Sequence, residues 1–197
     1  MYSYLLICFD KNLNELIIND SINMIEGFLD VRLSKKIDNL YFLSFFITEN
    51  YSEIVEFINS LTQDLLIRSS FFISKKKKDS LFSESNASFV IDNFPSILNF
   101  QKIIYDENDL IENYSKFDSF NLKNYIFGKF VTDRDMKHSI YAFLKNSLNS
   151  SKTASLIYMH RNTLDMRISK FERETGYNLR DFVDCFYIFS LIKDEFK

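Results

Sequence analysis

The first third of the chain shows two different spacings of apolar side chains, which predict that strands and helices alternate. Short and nearly continuous apolar runs, such as residues 2–9, are typical of strands buried in a sheet. Stretches in which apolar residues recur every three or four positions, such as residues 52–65, are typical of amphipathic helices. The predicted elements in chain order are a strand at 2–9, a helix at 12–28, strands at 30–38 and 40–47, a helix at 52–65 and a strand at 65–73.

The order of these elements predicts the fold of the N-terminal part. Asp38 and Asn39 are a turn signal between two strands, so residues 30–47 are expected to form a hairpin. Each helix joins two strands of one sheet, and such crossovers are almost always right-handed. The result is an antiparallel sheet with both helices on one face, which is the ferredoxin-like form of an α/β sandwich.

The pattern becomes helical farther along the chain. Four consecutive lysines, residues 75–78, predict a solvated loop, with a phosphate contact as the alternative. Residues 79–94 are weakly helical and are expected to stop at Pro95, because proline interrupts helical hydrogen bonding. Further helices are predicted at 110–117, 122–130 and 133–148. The fold class is therefore expected to be α+β, with an all-α C-terminal part.

A short helix, a tight turn and a longer basic helix are predicted within residues 149–176. The first helix is expected at about 151–158. Three residues can provide its N-cap: Asn149, Ser150 and Ser151. The second helix is expected to begin near Asn162 or Thr163 and to end before Gly176, a residue suited to helix termination. This arrangement is that of a helix-turn-helix.

The longer basic helix has an apolar face and a polar face. Leu164, Ile168 and Phe171 recur at helical spacing and are expected to be buried. The opposite face carries Asn162, Met166, Ser169, Lys170 and Arg173. His160 and Arg161 lie at the N-terminal end, which usually points at base edges in a helix-turn-helix. A final helix at 179–196 is expected to bury Phe182, Cys185, Phe186 and Phe189.

Composition and charge narrow the class of protein. Hydrophobic residues make up 46% of the 197 residues, which is enough for a packed core, and the net charge is −3. Residues 145–173 nevertheless hold six basic and two acidic side chains, so positive charge gathers in the predicted helix-turn-helix. Cys8 and Cys185 lie far apart in apolar runs, which favours buried thiols in a reducing compartment. Without a signal peptide or an apolar run of ~18 residues, we expect a cytoplasmic protein with no membrane contact.

The remaining residues form no pattern of a catalytic or metal site. The chain has 3 glycines, and it contains no glycine-rich phosphate loop and no nucleophile elbow. Its two histidines, His138 and His160, have no cysteine pair at a zinc-ligand spacing. We therefore expect no enzyme activity, no catalytic residues, no cofactor and no metal.

The predicted helix-turn-helix resembles the C-terminal domain of the PucR/CdaR family of bacterial regulators, which is related to the Fis DNA-binding unit. The matching residues are Thr153, Ala154, the string from His160 to Leu164, Arg167, Ile168, Thr175 and Gly176. The resemblance extends from about Phe130 to Phe196, with Tyr158 in a turn position where many such motifs have a small residue or glycine. It implies a DNA-binding regulator in which His160 and Arg161 contact bases.

The same resemblance bears on the N-terminal part. Members of the family often carry a degenerate GGDEF-like domain before the helix-turn-helix, and the ferredoxin-like core of such a domain agrees with the predicted element order. The turn at residues 37–40 lacks the glycine-rich signature of a diguanylate cyclase. A GGDEF-like domain in this chain is therefore expected to have lost that chemistry and to serve in sensing or dimerisation.

These observations predict a sequence-specific DNA-binding transcriptional regulator that acts as a homodimer on double-stranded DNA. Residues 1–120 are expected to form a regulatory or dimerisation domain and residues 121–197 the DNA-binding domain, and a small-molecule effector is left open. The candidate DNA-binding residues are Ser151, Lys152, His160, Arg161, Asn162, Thr163, Met166, Arg167, Ser169 and Lys170. The alternative is a ligand-binding or protein-interaction module whose helix-turn-helix is structural only.

Overall fold

The computed structural model describes residues 2–46, 50–75, 84–99 and 102–196. The chain divides into two compact units, Met1–Asn113 and Tyr114–Lys197. The first unit contains a β-sheet with helices, whereas the second is helical throughout its described elements. The fold class is therefore α+β, as the sequence predicted.

The described residues of the first unit form a five-stranded sheet and four helices. They are β1 (Tyr2–Phe9), α1 (Glu15–Phe28), β2 (Asp30–Ile37), β3 (Leu40–Phe46), α2 (Tyr51–Asp64), β4 (Ser69–Ile73), α3 (Glu84–Ile97), β5 (Ile104–Tyr105) and α4 (Glu107–Glu112). The strand order is β2-β3-β1-β4-β5, and the first four strands pair antiparallel. This confirms the ferredoxin-like order. The two-residue strand β5, which pairs parallel to β4, was too short to be predicted.

One face of the sheet is covered by α1 and α2. Leu5 and Ile7 of β1 belong to the same buried cluster as Ile25 of α1 and Ile58 of α2. Leu5 and Ile7 are two positions apart in β1, so their side chains point to the same face of the sheet. The predicted placement of both helices on one face is confirmed.

The opposite face of the sheet is covered by α3; the sequence predicted a weak helix in this region but not its packing on the sheet. Tyr4 of β1 lies beside Phe72 of β4, with ring centroids 6.2 Å apart. Phe72 in turn contacts Phe94 of α3 at 5.6 Å, and Phe94 contacts Tyr105 of β5 at 5.4 Å. Strand β1 is thus buried from both sides, which explains why residues 2–9 form a nearly continuous apolar run.

Helix α3 continues through Pro95, so the prediction that it stops there was wrong. Pro95 lies in the last turn, where it cannot donate to the carbonyl four residues earlier; this cost is confined to one turn, and only two helical residues follow. Phe94 and Ile97 are buried on either side of it. Their burial holds the last turn in place against the local cost of the proline.

The lysine run is described only at its first residue. The backbone N–H of Lys75 donates to both carboxylate oxygens of Glu107 in α4, at 2.9 Å each. The chain therefore enters this segment anchored to α4. The predictions for residues 76–78, a solvated loop or a phosphate contact, fall outside the described residues.

The described residues of the second unit form five α-helices. They are α5 (Ser119–Phe127), α6 (Arg134–Lys145), α7 (Ser150–Leu156), α8 (Arg161–Thr175) and α9 (Phe182–Ile192). The helix predicted at 110–117 is instead split between α4 and a 3₁₀ turn at Tyr114–Lys116. The split occurs at Asn113, whose backbone N–H and side-chain amide both donate to the Asp109 carbonyl. No helix in the described ranges is both long and apolar enough to cross a membrane.

Helix α9 buries a different face from the one predicted. Phe182 is 82% exposed and Phe186 is 58% exposed, so their expected burial was wrong. The other two residues of that prediction, Cys185 and Phe189, are half-buried. The buried residues are Asp184, Ile188 and Ile192. Nearly every position of α9 is apolar, so the spacing of apolar residues could not identify the buried face. In the structure Asp184 marks that face, because its Oδ2 accepts a hydrogen bond from the Asn178 N–H at 2.8 Å.

Candidate nucleic-acid interface

Helix α7, a short turn and helix α8 form the predicted helix-turn-helix. The Asn149 side chain accepts a hydrogen bond from the Lys152 N–H at 2.9 Å and caps α7. His160 caps α8, because its Nδ1 accepts a hydrogen bond from the Asn162 N–H at 3.2 Å. Gly176 ends α8 with a left-handed φ of 81°, as expected for a glycine at this position.

The turn of the motif is formed by Tyr158 in a left-handed conformation. Its φ is 52°, a value that non-glycine residues rarely adopt. The N–H of the next residue, Met159, reaches back to the Ala154 carbonyl at 2.8 Å and closes the end of α7. The Tyr158 side chain is 97% exposed. Helix α7 therefore ends at Leu156, two residues before the predicted limit of 158.

Helix α8 separates a buried face from an exposed one. Leu164, Ile168 and Phe171 are buried, as the sequence predicted. The Phe171 ring packs against Phe127 and Phe130, with both centroid distances at 5.8 Å. The exposed residues at the start and on the other sides of α8 are His160, Arg161, Asn162, Met166, Ser169, Lys170 and Arg173. Seven side chains able to contact a ligand therefore remain accessible on this helix.

The three exposed cations on α8 all have partners within the unit, and the Arg173 Nη2 lies 3.6 Å from the Glu174 Oε1. The Arg161 Nε lies 3.5 Å from the Asp165 Oδ2, one helical turn away. The Lys170 Nζ lies 5.9 Å from the centre of the Phe130 ring. Arg161 and Lys170 are themselves exposed to water, and contacts of such cations are weak enough for them to exchange partners.

Arg167 differs from the other candidate residues because it faces another helix. Its Nη1 donates to the Ser139 Oγ at 2.8 Å and to the Asp135 carbonyl at 3.2 Å. The side chain is half-buried between α6 and α8. Thr163 is also half-buried, whereas Ser151 and Lys152 are exposed in the first turn of α7.

Two open depressions border α8. The first, of about 790 Å³, lies between α6 and α8 and has Asp133 and Asp135 on one side and Lys170 and Arg173 on the other. The second, of about 390 Å³, is lined by Ser147, Leu148, Asn149, Ser150, Ser151, Arg161, Asp165 and Arg180. The two aspartates and Arg180 were missed by the sequence analysis, because they lie outside the two helices of the motif.

The first unit has a larger cavity of its own, of about 890 Å³, at one end of the sheet. Its apolar lining includes Phe9, Ile37, Leu40, Ile91, Pro95 and Leu98. Its polar lining includes Asp10, Lys11, Asn12, Asp38, Asn39 and Asp92. An apolar wall with a few polar groups is the usual character of a small-molecule site.

The described residues contain no group of three or more His, Cys, Asp or Glu side chains that could hold a metal. Cys8 and Cys185 are both free and half-buried. Burial raises the pKa of the Cys8 thiol, against a smaller effect of Lys11. Burial also raises the pKa of the Cys185 thiol, and the carboxylates of Asp181 and Asp184 reinforce the shift. Both thiols are therefore weaker nucleophiles at neutral pH than an ordinary cysteine.

Comparison with known families identifies the second unit. Residues 137–193 match the family model described as the PucR C-terminal helix-turn-helix domain. The match covers α7, α8, α9 and most of α6, and it confirms the resemblance that the sequence motif indicated. The fold and this match identify a helix-turn-helix domain in the second unit. This domain is of the PucR type.

A solved structure is also similar to the chain at low identity. It is the crystal structure of a regulator of polyketide synthase expression from Bifidobacterium adolescentis, with 11% sequence identity and a TM-score of 0.42. The similarity covers 100% of this chain and 82% of the other. A comparison with curated proteins gives no match.

Proposed function

We propose that the chain is a sequence-specific transcriptional regulator that binds double-stranded DNA through α8. The observation that carries this proposal is the exposed side of α8, where Arg161, Asn162 and Lys170 are accessible around a fully buried apolar face. Burial of the apolar face can hold such a helix rigidly, while the cations and amides of its exposed side contact a polyanion. The PucR-type domain match supports the same function.

The proposed interface has a base-reading group and a phosphate-binding group. The base-reading group is His160, Arg161, Asn162, Met166 and Ser169. The phosphate-binding group is Ser151, Lys152, Thr163 and Lys170. We assign Arg167 an indirect part, because its hydrogen bond to Ser139 ties α8 to α6. It would then fix the angle at which α8 enters the major groove.

The test is a titration of a labelled, mixed-sequence DNA duplex at several salt concentrations. Binding through cations predicts that log affinity falls linearly with log salt, because counterions are released from the DNA. Lys170→Glu should weaken binding several-fold. Lys36→Glu is the matched control, since it makes the same charge change on an exposed strand residue of the first unit and should bind almost as the wild type does.

Two outcomes would favour the alternative function. If the wild type does not retard DNA even at low salt, or if retardation is insensitive to salt, the helix-turn-helix is not a DNA-binding element. The chain would then be better described as a ligand-binding or protein-interaction module. The negatively charged Asp133 and Asp135 beside α8 are the feature that favours this alternative.

We also propose that the regulator is a homodimer. A single helix-turn-helix contacts too few base pairs for a unique site, so most such proteins pair two copies on two half-sites. Three large apolar side chains of α9 remain exposed: Phe182, Val183 and Phe186. A second copy of the chain would remove this apolar surface from water, which favours association.

For the first unit, we propose a regulatory role without enzymatic activity. Its ferredoxin-like strand order is compatible with a degenerate GGDEF-like domain, and its β2–β3 turn at residues 37–40 has no glycine. The cavity beside that turn is a candidate site for a small-molecule effector. Because the proposed ligand of α8 is DNA, we expect the protein to act in the cytoplasm.

A further inference from the structure

Arg180 lies in the connection between α8 and α9, beyond the two helices of the motif, yet it lines a depression at the start of α7. The same depression is lined by Arg161 at the start of α8 and by Ser150 and Ser151 in the first turn of α7. Its wall consists mainly of polar atoms. Three separate parts of the second unit therefore contribute cations and hydroxyl groups to one small, open site.

The backbone around Arg180 is held by buried anchors. Leu179 is fully buried, and its N–H donates to the Glu172 Oε1 at 2.9 Å. The Arg180 N–H donates to the Asn178 Oδ1 at 3.0 Å, and the Leu179 carbonyl accepts a hydrogen bond from the Cys185 thiol at 3.1 Å. The connection is thus fixed on both sides of Arg180. A fixed backbone lowers the entropy lost when the side chain binds a ligand.

The charges in the depression leave one guanidinium uncompensated. Arg161 has Asp165 as a partner, at 3.5 Å. Arg180 has no ion-pair partner among the residues that the structure describes. The site therefore combines a free cation with serine hydroxyl donors, which suits an anion. A planar guanidinium binds phosphate oxygens in two places, unlike the point charge of a lysine.

Two of the peptide N–H groups beside the depression are already used within the fold. The Leu148 N–H donates to the Phe143 carbonyl at 3.0 Å, and the Asn149 N–H donates to the Asn146 carbonyl at 3.2 Å. These two groups cannot bind an anion, so the cation and the hydroxyl groups of the side chains are the groups that substitution can test.

We propose that Arg180, with Ser150 and Ser151, binds one backbone phosphate of the DNA duplex that α8 reads. This inference rests on the proposed DNA-binding function. The phosphate belongs to that duplex because Arg161, at the end of α8 that meets the bases, lines the same depression. A phosphate contact at this position fixes the register of α8 in the groove and carries no sequence information of its own.

The experiment compares Arg180→Ala with Arg68→Ala in the full chain. Arg68 is also exposed but lies in the first unit, so both variants change the net charge equally. Affinity is measured over a range of salt on two duplexes: a mixed sequence and the tightest-binding sequence selected from a random library. We expect Arg180→Ala to weaken both by about tenfold and to lower the salt slope by about one unit. Arg68→Ala should leave both quantities unchanged.

The outcomes separate this inference from the proposed function. If the wild type binds DNA and Arg180→Ala behaves as Arg68→Ala does, the phosphate assignment is wrong while DNA binding stands. Weakening confined to the selected duplex would also overturn it, because that is the behaviour of a base-reading residue. If the wild type binds neither duplex, both proposals fail. Should the alanine variant unfold, as judged by thermal melting, Arg180→Gln takes its place, since it keeps most of the side-chain stem.

Discussion

Leu164 and Arg161 are less than one helical turn apart in α8, but their surroundings are opposite. Leu164 is completely buried, whereas Arg161 projects into solvent and contacts only Asp165 among the ion pairs of the described residues. At the scale of single residues, stability and the proposed DNA recognition thus depend on different side chains of one helix. Substitutions in α8 should therefore affect folding or binding separately.

The first prediction concerns the buried face. Leu164→Ala should lower the free energy of unfolding by about 2–5 kcal/mol, because it removes buried methyl groups and leaves a cavity. Urea unfolding monitored by circular dichroism measures the change. Met166→Ala is the control, since Met166 is 66% exposed on the same helix and its truncation should cost little. Equal stability of the Leu164 variant and the wild type would contradict the assignment of Leu164 to the core.

The second prediction concerns the exposed side. Arg161 lies at the start of α8 and can bond a guanine edge in two places, so Arg161→Ala should cost about 1–3 kcal/mol on the selected duplex and relax the preference at one base position. Lys170 lies more than two turns further on and is better suited to a phosphate. Lys170→Ala should weaken selected and mixed duplexes alike and lower the salt slope by about one unit.

A salt titration of both variants on both duplexes checks this division. If Arg161→Ala weakens the mixed duplex as much as the selected one, Arg161 does not read a base. In that case Arg161 would join Lys170 among the phosphate contacts, and the proposal that the chain binds DNA would still stand.

At the scale of elements, the turn between α7 and α8 contains a local backbone cost. Tyr158 adopts a φ of 52°, and its side chain makes little contact because it is 97% exposed. A left-handed conformation costs a non-glycine residue roughly 1–2 kcal/mol, more than the ~0.5–1 kcal/mol of extra chain entropy that glycine loses on folding. The sequence of the turn is therefore not optimal for stability.

The third prediction follows from that balance. Tyr158→Gly should stabilise the second unit by up to about 1 kcal/mol, measured by urea unfolding. Tyr158→Ala is the matched control: it also removes the ring but keeps the strained conformation, so it should give no stabilisation. A glycine variant that is less stable than the alanine variant would mean that the exposed ring stabilises the turn.

The fourth prediction concerns Glu195, which ties the segment after α9 to α5 and α6. Its carboxylate accepts hydrogen bonds from Lys123 at 2.7 Å and from Lys137 at 2.5 Å. Burial raises the pKa of Glu195, but the hydrogen bonds and charges of the two lysines outweigh burial, and the pKa lies below its ordinary value of 4.5. A lowered pKa in the folded state means that the interaction is fully present above pH 4.5 and is lost as the pH falls further.

Glu195→Gln should accordingly make the melting temperature less dependent on pH below about 5. The measurement is a series of thermal melts between neutral pH and the acid range. Glu56→Gln, on an exposed position of α2, should retain the wild-type dependence. Parallel curves for the wild type and the Glu195 variant would show that the two lysine contacts do not contribute to acid stability.

At the scale of the whole molecule, the proposed dimer gives the fifth prediction. The wild type should sediment as a dimer at micromolar concentration, and Phe186→Glu should shift it toward monomer without lowering its melting temperature, because Phe186 is already 58% exposed in the single chain. Tyr114→Glu is the control, since it places the same charge at an exposed aromatic position outside α9. A wild type that is monomeric at all concentrations would exclude the dimer.

The sequence by itself determined the element order from β1 to β4, the helix-turn-helix and the buried face of α8. These features depend on local periodicity, turn residues and caps: the apolar run of β1, an N-cap among Asn149, Ser150 and Ser151, and the end of α8 at Gly176 can all be recognised without knowing the neighbours. The spacing of Leu164, Ile168 and Phe171 predicted the buried face of α8 correctly because the other side of the helix is polar, so that only one face could be buried.

The tertiary structure decided the features that depend on distant partners. Helix α3 continues past Pro95 because Phe94 packs on the sheet, and α9 turns Asp184 inward because a loop N–H binds its carboxylate. The face of α9 could not be recognised from a helix that is apolar nearly all round. Arg180 lines the same depression as Arg161 and the start of α7, and the sequence separation of these residues gives no sign of it. Local patterns specify which elements form, whereas burial and hydrogen bonding between elements specify which residues meet.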